Sequence, residues 1–167
     1  MSNNFIQNVE AATKELNVIN SNELNDIIQN NDKDSYIIID VNDKEDVESR
    51  GMIENAVNIS LGTLFYKADD SVPEAFKDAR VQDRNKKVIM TCGLGLCAAV
   101  GGKLLKDYGF KDVNLLQGGV TKWIEDGYTV QGKKEKKKIF SFFFLFFIYL
   151  FIFKSNDPFF FIILKMN

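Results

Sequence analysis

Two rhythms alternate along this chain, one helical and one extended. Residues 5–16, FIQNVEAATKEL, place apolar side chains at Phe5, Val9, Ala12 and Leu16, the spacing of a helix with one buried stripe. SNELNDIIQNN (21–31) opens on Ser21 as an N-cap and closes in paired Asn, which predicts a short helix. SYIIIDV (35–41) is a continuous apolar run of strand length, as a strand covered on both faces of a parallel sheet requires. DKEDVESRG (43–51) predicts a helical turn ended by Gly51, and NAVNIS (55–60) a short strand. PEAFKDAR (73–80) predicts a helix with Pro73 at its first position. KKVIMTC (86–92) predicts the next strand, CAAVGGKLLKDYG (97–109) a helix stopped by Gly109, and DVNLL (112–116) another strand. GGVTKWIEDGY (118–128) predicts a final helix with Trp123 on its inner face, a packing residue. Gly101 and Gly102 each weaken their helix by about 1 kcal/mol unless a close neighbour requires them. Strands alternating with helices predict an α/β domain whose parallel sheet is covered on both faces. Ligands of such sheets sit beyond the carboxyl ends of the strands, and Cys92 stands at one such end.

Composition narrows the chemistry. At 167 residues the chain is long enough for one ordinary domain. Its two cysteines, Cys92 and Cys97, make no disulfide framework. With no histidine, neither a metal site nor a Cys-His or Ser-His pair is expected, and no cofactor is called for. Residues 1–132 hold 14 basic and 21 acidic side chains, whereas 133–167 hold 7 and 2. The acidic globular part argues against nucleic acid as a partner. The N-terminus, MSNNFIQNVEAATKEL, carries acids and no apolar core of a signal, so a reducing, cytoplasmic setting is expected.

The stretch VIMTCGLGLCAA (88–99) concentrates the candidate chemistry. A loop that leaves a strand and turns straight into a helix aims several backbone N–H groups at one point. The helix N-terminus adds about half a positive charge there. A thiol at that point ionises more readily than a free one, with no histidine needed. Gly93 and Gly95 would supply the backbone freedom to curl such a cradle. The competing reading is a buried strand-end cysteine beside a tight turn.

Four segments in order carry a resemblance to the rhodanese (sulfurtransferase) family over residues 17–131. IIIDVND is similar to the strand bearing that family's Asp-Val-Arg, and SRGMIENAVNIS to its Gly-His-Ile-Pro-Gly-Ala segment. VIMTCGLGLCAA stands in the place of its active loop, and GFKDVNLLQGGVTKWIEDGYTV matches its Gly-Gly…Trp…Gly ending. The resemblance implies a parallel five-stranded sheet with helices on both faces, spanning 17–132 behind an N-terminal helical extension, 1–16. It implies Cys92 as the nucleophile that takes a sulfane sulfur and becomes a persulfide. The N–H groups of Gly93, Leu94, Gly95, Leu96, Cys97 and Ala98 would form the substrate cradle. The partners it implies are a small sulfur donor, such as thiosulfate or a persulfide, and a thiol or cyanide-like acceptor.

The departures bear on activity. Asn42 replaces the arginine after Asp-Val, and Met52, Glu54 and Asn55 replace histidine, proline and glycine. Cys97 stands where the loop usually has arginine, so residues 92–98 hold no cation. Loss of a charge-assisted hydrogen bond, roughly twice as strong as a neutral one, weakens binding of a dianion. The alternative reading is therefore a rhodanese-like binding or regulatory module with weak or no turnover. Phosphatase chemistry on a related fold needs a longer Cys-x5-Arg loop, which this Cys-x4-Cys segment does not offer. Cys97 reads either as a partner that resolves an oxidised Cys92 or as a small packed residue at a helix start. Asp40, at the end of its strand, reads as a turn-bonding or capping carboxylate.

After Gly132 the composition changes abruptly. Residues 133–167 contain 11 of the 15 phenylalanines. The run 139–153 would reach about 22 Å as a helix, against a bilayer core of about 30 Å. One reading is a short tail anchor with the lysine run, and the domain, on the cytosolic side. A second rests on codons: Phe, Leu, Ile, Lys, Asn and Tyr, all writable in A and T, make up 29 of these 35 residues but 54 of the preceding 132. That bias suits translated non-coding sequence, whereas a third reading packs the segment on the domain. Membrane contact is expected only through 139–153.

Overall fold

Every position of β2 (Tyr36–Asp40) is buried, because both sides of its apolar run find a layer of helices. The computed structural model describes residues 4–30 and 32–133. Among them lie α1 (Phe5–Lys14), β1 (Asn17–Ile19), α2 (Ser21–Asn30), β2, α3 (Lys44–Arg50), β3 (Ala56–Asn58) and α4 (Leu61–Lys67). Two 3-10 turns follow, Glu74–Phe76 and Ala79–Val81, and then β4 (Lys87–Thr91), α5 (Leu96–Asp107), β5 (Asp112–Leu116) and α6 (Gly119–Glu125). The strands form one sheet in the order β1-β5-β4-β2-β3, and each neighbouring pair is parallel. The α/β architecture is the expected one, with β2 inside the sheet.

Alternation along the strands sorts the core into two layers. Ile37, Ile39, Val88, Met90, Cys92, Val113 and Leu115 face α1, α4 and α5. Tyr36, Ile38, Ile89 and Leu116 face the other way, toward Leu24 of α2 and Val120 and Trp123 of α6. Trp123 is packing, as expected: it stacks on Tyr128 at 4.3 Å between ring centroids and donates Nε1–H to the carbonyl of Thr129 at 2.9 Å. The glycines within α5 serve close approach. A Cβ on Gly102 would stand 2.8 Å from Leu16 Cδ1, and one on Gly101 3.1 Å from Met90 Cε. Through that contact Val9, Ala12 and Leu16, in and just after α1, join the first layer of the core.

Three local expectations are corrected. Residues 73–80 form no α-helix: Pro73 precedes a single 3-10 turn, Lys77 is extended, and Asp78 caps a second turn by accepting the Arg80 N–H. The cap of α2 is Asn20, not Ser21. Asn20 Oδ1 accepts from Glu23 N at 3.0 Å and Glu23 Oε2 accepts from Asn20 N at 2.8 Å, a reciprocal capping box. The third concerns Gly93, which does not take a positive φ, so Gly95 alone supplies the left-handed turn of the Cys92 loop. No helix among the described residues is long and apolar enough to cross a membrane. The anchor and non-coding readings fall on residues 134–167, outside the described residues.

Candidate active site

Thr91, the last residue of β4, lies opposite Asp40, the last residue of β2. The chain leaves both strands on the same edge of the sheet, and the two departures meet there. Cys92 continues the inward face of Val88 and Met90 and is 3 % exposed. Gly95, at φ +85°, reverses the chain into α5 as its N-cap. Its N–H therefore points back, and Cys92 Sγ accepts it at 3.1 Å. The first intrahelical bond runs from Ala99 N to Gly95 O at 3.0 Å. The N–H groups of Leu96, Cys97 and Ala98 precede it, in the turn that has no intrahelical acceptor. The thiol is thus set at the head of a 12-residue helix, where backbone dipoles favour negative charge.

The loop is braced from two sides. On one, α6 approaches so closely that Val120 N donates to Cys92 O at 2.9 Å and Thr121 N to Gly93 O at 3.0 Å. Gly119, at φ +62°, allows this: a Cβ there would stand 2.2 Å from Cys92 O and 2.7 Å from Gly95 N. On the other side Asn42 Oδ1 accepts the Gly93 N–H at 2.6 Å. Arg50, at the end of α3, donates Nη2–H to the same Asn42 oxygen at 3.0 Å and to both oxygens of Asp40 at 3.1 and 2.9 Å. Its Nη1 bonds Gly51 O at 3.2 Å. Asn58 Nδ2 ties the turn itself, reaching the carbonyls of Asp40 at 2.9 Å and Asn42 at 2.7 Å.

Burial and charge tune these groups. The Asp40 side chain is fully buried; that burial pushes its carboxyl above the usual range, against the pull of Arg50 and the Asn42 N–H. Asp40 does bond within its turn, as expected, and it also pairs with a guanidinium. Cys97, the second residue of α5, is half-buried. Its thiol is pushed up first by burial, then by the nearby charges of Cys92 and Asp43. Both cysteines are free. Leu94 is 62 % exposed and Leu96 lies at the exposed margin, so the rim of the loop is apolar.

Residues 93–98 form the loop after Cys92 and the first turn of α5, and their N–H groups are not equivalent. Gly95 already bonds the sulfur; Gly93 is committed to Asn42. Sequence reasoning missed Asn42, Arg50, Asn58 and Gly119 as parts of the site. Gly119 left a signal, as the second glycine of a Gly-Gly pair that opens a helix, and Asn42 showed only as a departure from Asp-Val-Arg.

A family model for the rhodanese-like domain matches residues 21–126. The chain is 30 % identical over 112 residues to the adenylyltransferase and sulfurtransferase UBA4 of Debaryomyces hansenii, covering 65 % of this chain and 23 % of that protein. It therefore spans about a quarter of that relative's length. Among solved structures, the polysulfide-sulfur transferase homodimer of Wolinella succinogenes is 26 % identical with a TM-score of 0.59, over 78 % of this chain and 88 % of that one. A Rhodopseudomonas palustris protein described as a possible tyrosine phosphatase is 21 % identical with a TM-score of 0.71, over 78 % and 96 %. That likeness concerns the fold.

Proposed function

This chain belongs to the rhodanese-like domain family, related to sulfurtransferases, and from that premise we propose that it transfers a sulfane sulfur through a persulfide on Cys92. The Cys92 thiolate attacks the outer sulfur of a donor R–S–SH, the donor's S–S bond breaks, and R–S⁻ leaves with the bonding pair. The persulfide then holds that sulfur until a thiol or cyanide-like nucleophile attacks its terminal atom and the Cys92 thiolate departs. One observation carries the reading: Cys92 Sγ accepts the Gly95 N–H at 3.1 Å at the head of α5. The remaining cradle groups are the N–H groups of Leu94, Leu96, Cys97 and Ala98.

The donor we propose is a persulfide rather than thiosulfate. Residues 92–98 hold no cation, and both terminal nitrogens of Arg50 are engaged by Asp40, Asn42 and Gly51. Two sulfur-transfer names among the relatives support the class of reaction. A reducing cytoplasm is the setting proposed for a pair of free cysteines.

The test is mass spectrometry of the protein after incubation with a persulfide donor. The Cys92 peptide should gain the mass of one sulfur atom, and Cys92→Ser should gain none. A binding module without turnover is the second reading, favoured by the near-complete burial of Cys92. An unmodified Cys92 peptide under every donor would establish it.

A further inference from the structure

Asn42 forms the shortest polar contact made by the loop's backbone. Gly93 follows the nucleophile directly, so whatever fixes its N–H fixes the peptide plane that carries the Cys92 side chain into the cradle. That N–H goes to Asn42 Oδ1 at 2.6 Å across 51 residues of sequence. The oxygen accepts at the same time from Arg50 Nη2 at 3.0 Å. Asn42 is itself held on three further sides: its N–H bonds Asp40 Oδ1 at 3.1 Å, its Nδ2 meets Asp46 Oδ2 at 3.3 Å, and its carbonyl accepts from Asn58 Nδ2 at 2.7 Å. A side chain pinned at both ends is a rigid stop. Arg50 is rigid in turn, because a fully buried carboxylate faces it and its own side chain is 16 % exposed.

We infer that Asn42, oriented by Arg50, is a positioning residue for the Cys92 loop: it withdraws the Gly93 N–H from the substrate and locks the loop so that the Gly95 N–H meets the sulfur. The inference rests on the proposed role of Cys92, but its readout does not require sulfur transfer. Asn42 and Arg50 supply order rather than charge. The guanidinium is spent on Asp40 and on the amide oxygen, so it orients an acceptor instead of facing an anion. A carboxamide suits that task because its oxygen takes two donors while its nitrogen bonds Asp46, with no net charge added beside a thiolate.

The experiment follows alkylation of Cys92 by iodoacetamide in the full chain, read peptide by peptide so that Cys97 is separate, across a pH series and beside the melting temperature. Asn42→Ala removes the acceptor. It should slow Cys92 alkylation about tenfold at neutral pH and move its pH profile upward, with Cys97 unchanged. Asn42→Asp keeps an oxygen for Gly93 and Arg50 but turns the other toward Asp46 Oδ2, which Asn42 Nδ2 meets at 3.3 Å, and its added negative charge should also displace the Cys92 profile upward. A merely structural residue would lower the melting temperature of Asn42→Ala and leave its Cys92 profile at the wild-type position. Where sulfur loading is observed, Asn42→Ala should lower kcat with KM nearly unchanged. A wild-type Cys92 alkylation profile in folded Asn42→Ala would overturn the inference. An unloaded Cys92 in the wild type would instead overturn the sulfur-transfer reading and leave the alkylation result standing.

Discussion

Gly119→Ala is expected to be the most damaging single methyl that can be added near this site. The residue sits at φ +62°, and the new Cβ would stand 2.2 Å from Cys92 O, 2.7 Å from Gly95 N and 2.8 Å from Gly93 O. All three atoms are backbone, so no side chain can rotate away. Holding a non-glycine residue in the left-handed region costs about 1–3 kcal/mol. Relief of the clash requires α6 to retreat from the loop. That strains the bonds from Val120 N to Cys92 O and from Thr121 N to Gly93 O, each worth about 0.5–1.5 kcal/mol. The total, about 2–6 kcal/mol, is a large share of the 5–15 kcal/mol that typically holds a domain together. Gly109→Ala supplies the control, since Gly109 has φ +86° with nothing within 4 Å of the added atom; it should cost the backbone strain alone. Urea denaturation of both variants measures the gap, provided the slope with denaturant is unchanged. Equal costs would refute the claim that α6 and the Cys92 loop are held at contact through Gly119.

Two further outcomes are expected. Arg50→Met strips the partner from a buried carboxylate and should cost about 3–5 kcal/mol near neutral pH. Burial raises the folded value of Asp40 above its ordinary 3.8, so its contribution to stability is fullest below 3.8 and is lost as pH rises through the folded value. The cost of Arg50→Met should therefore shrink in mild acid, as the unpaired Asp40 takes up a proton; a cost independent of pH would show that Asp40 is not the group left unpaired. Cys97→Arg places a cation on the first turn of α5 and should raise thiosulfate:cyanide transfer about tenfold, the lower end of what 1.5–3 kcal/mol from one charge-assisted bond provides. Asp43, whose charge already reaches position 97, competes for the guanidinium, and adding Asp43→Asn should increase the gain. Unchanged turnover would mean that charge at this position does not limit the loop.

The inner strands were legible because their burial is written into them: β2, β4 and β5 read as apolar runs, and β5 falls on the residues expected. β1 was not. Two of its three positions are exposed, so nothing in Asn17–Ile19 marks a strand until β5 offers its edge. α4 was silent for a similar reason, since Leu64 is its only buried residue and no stripe repeats over seven positions. The segment 73–80 misled through Pro73, which starts a 3-10 turn as readily as a helix. At the site, Cys92 and its loop were legible from the strand-turn-helix grammar, together with the resemblance. Asn42 and Arg50 were not, because a contact from one strand end to the next leaves no period in the sequence. Asn42 was visible only as a missing arginine, a loss, whereas its amide oxygen holds the loop.

That exchange changes how the missing loop cation weighs on function. A cation beside the sulfur attracts any anion and adds affinity for a dianion most of all. Here the guanidinium lies one side chain away, neutralised by Asp40, while Asp43 adds negative charge near Cys97. What remains for the sulfur is the Gly95 N–H and the head of α5, equivalent to roughly half a positive charge. Fixed dipoles of that size stabilise one diffuse charge, such as a thiolate or persulfide anion. They compensate poorly for stripping water from a doubly charged donor, whose desolvation cost rises with the square of its charge. For the donor proposed above, the exposed Leu94 at the rim would work in the same direction, favouring an apolar carrier over a small hydrated anion. On the proposed role of Cys92, the missing loop cation therefore need not silence the thiol; it would shift the preferred substrate from charge toward shape.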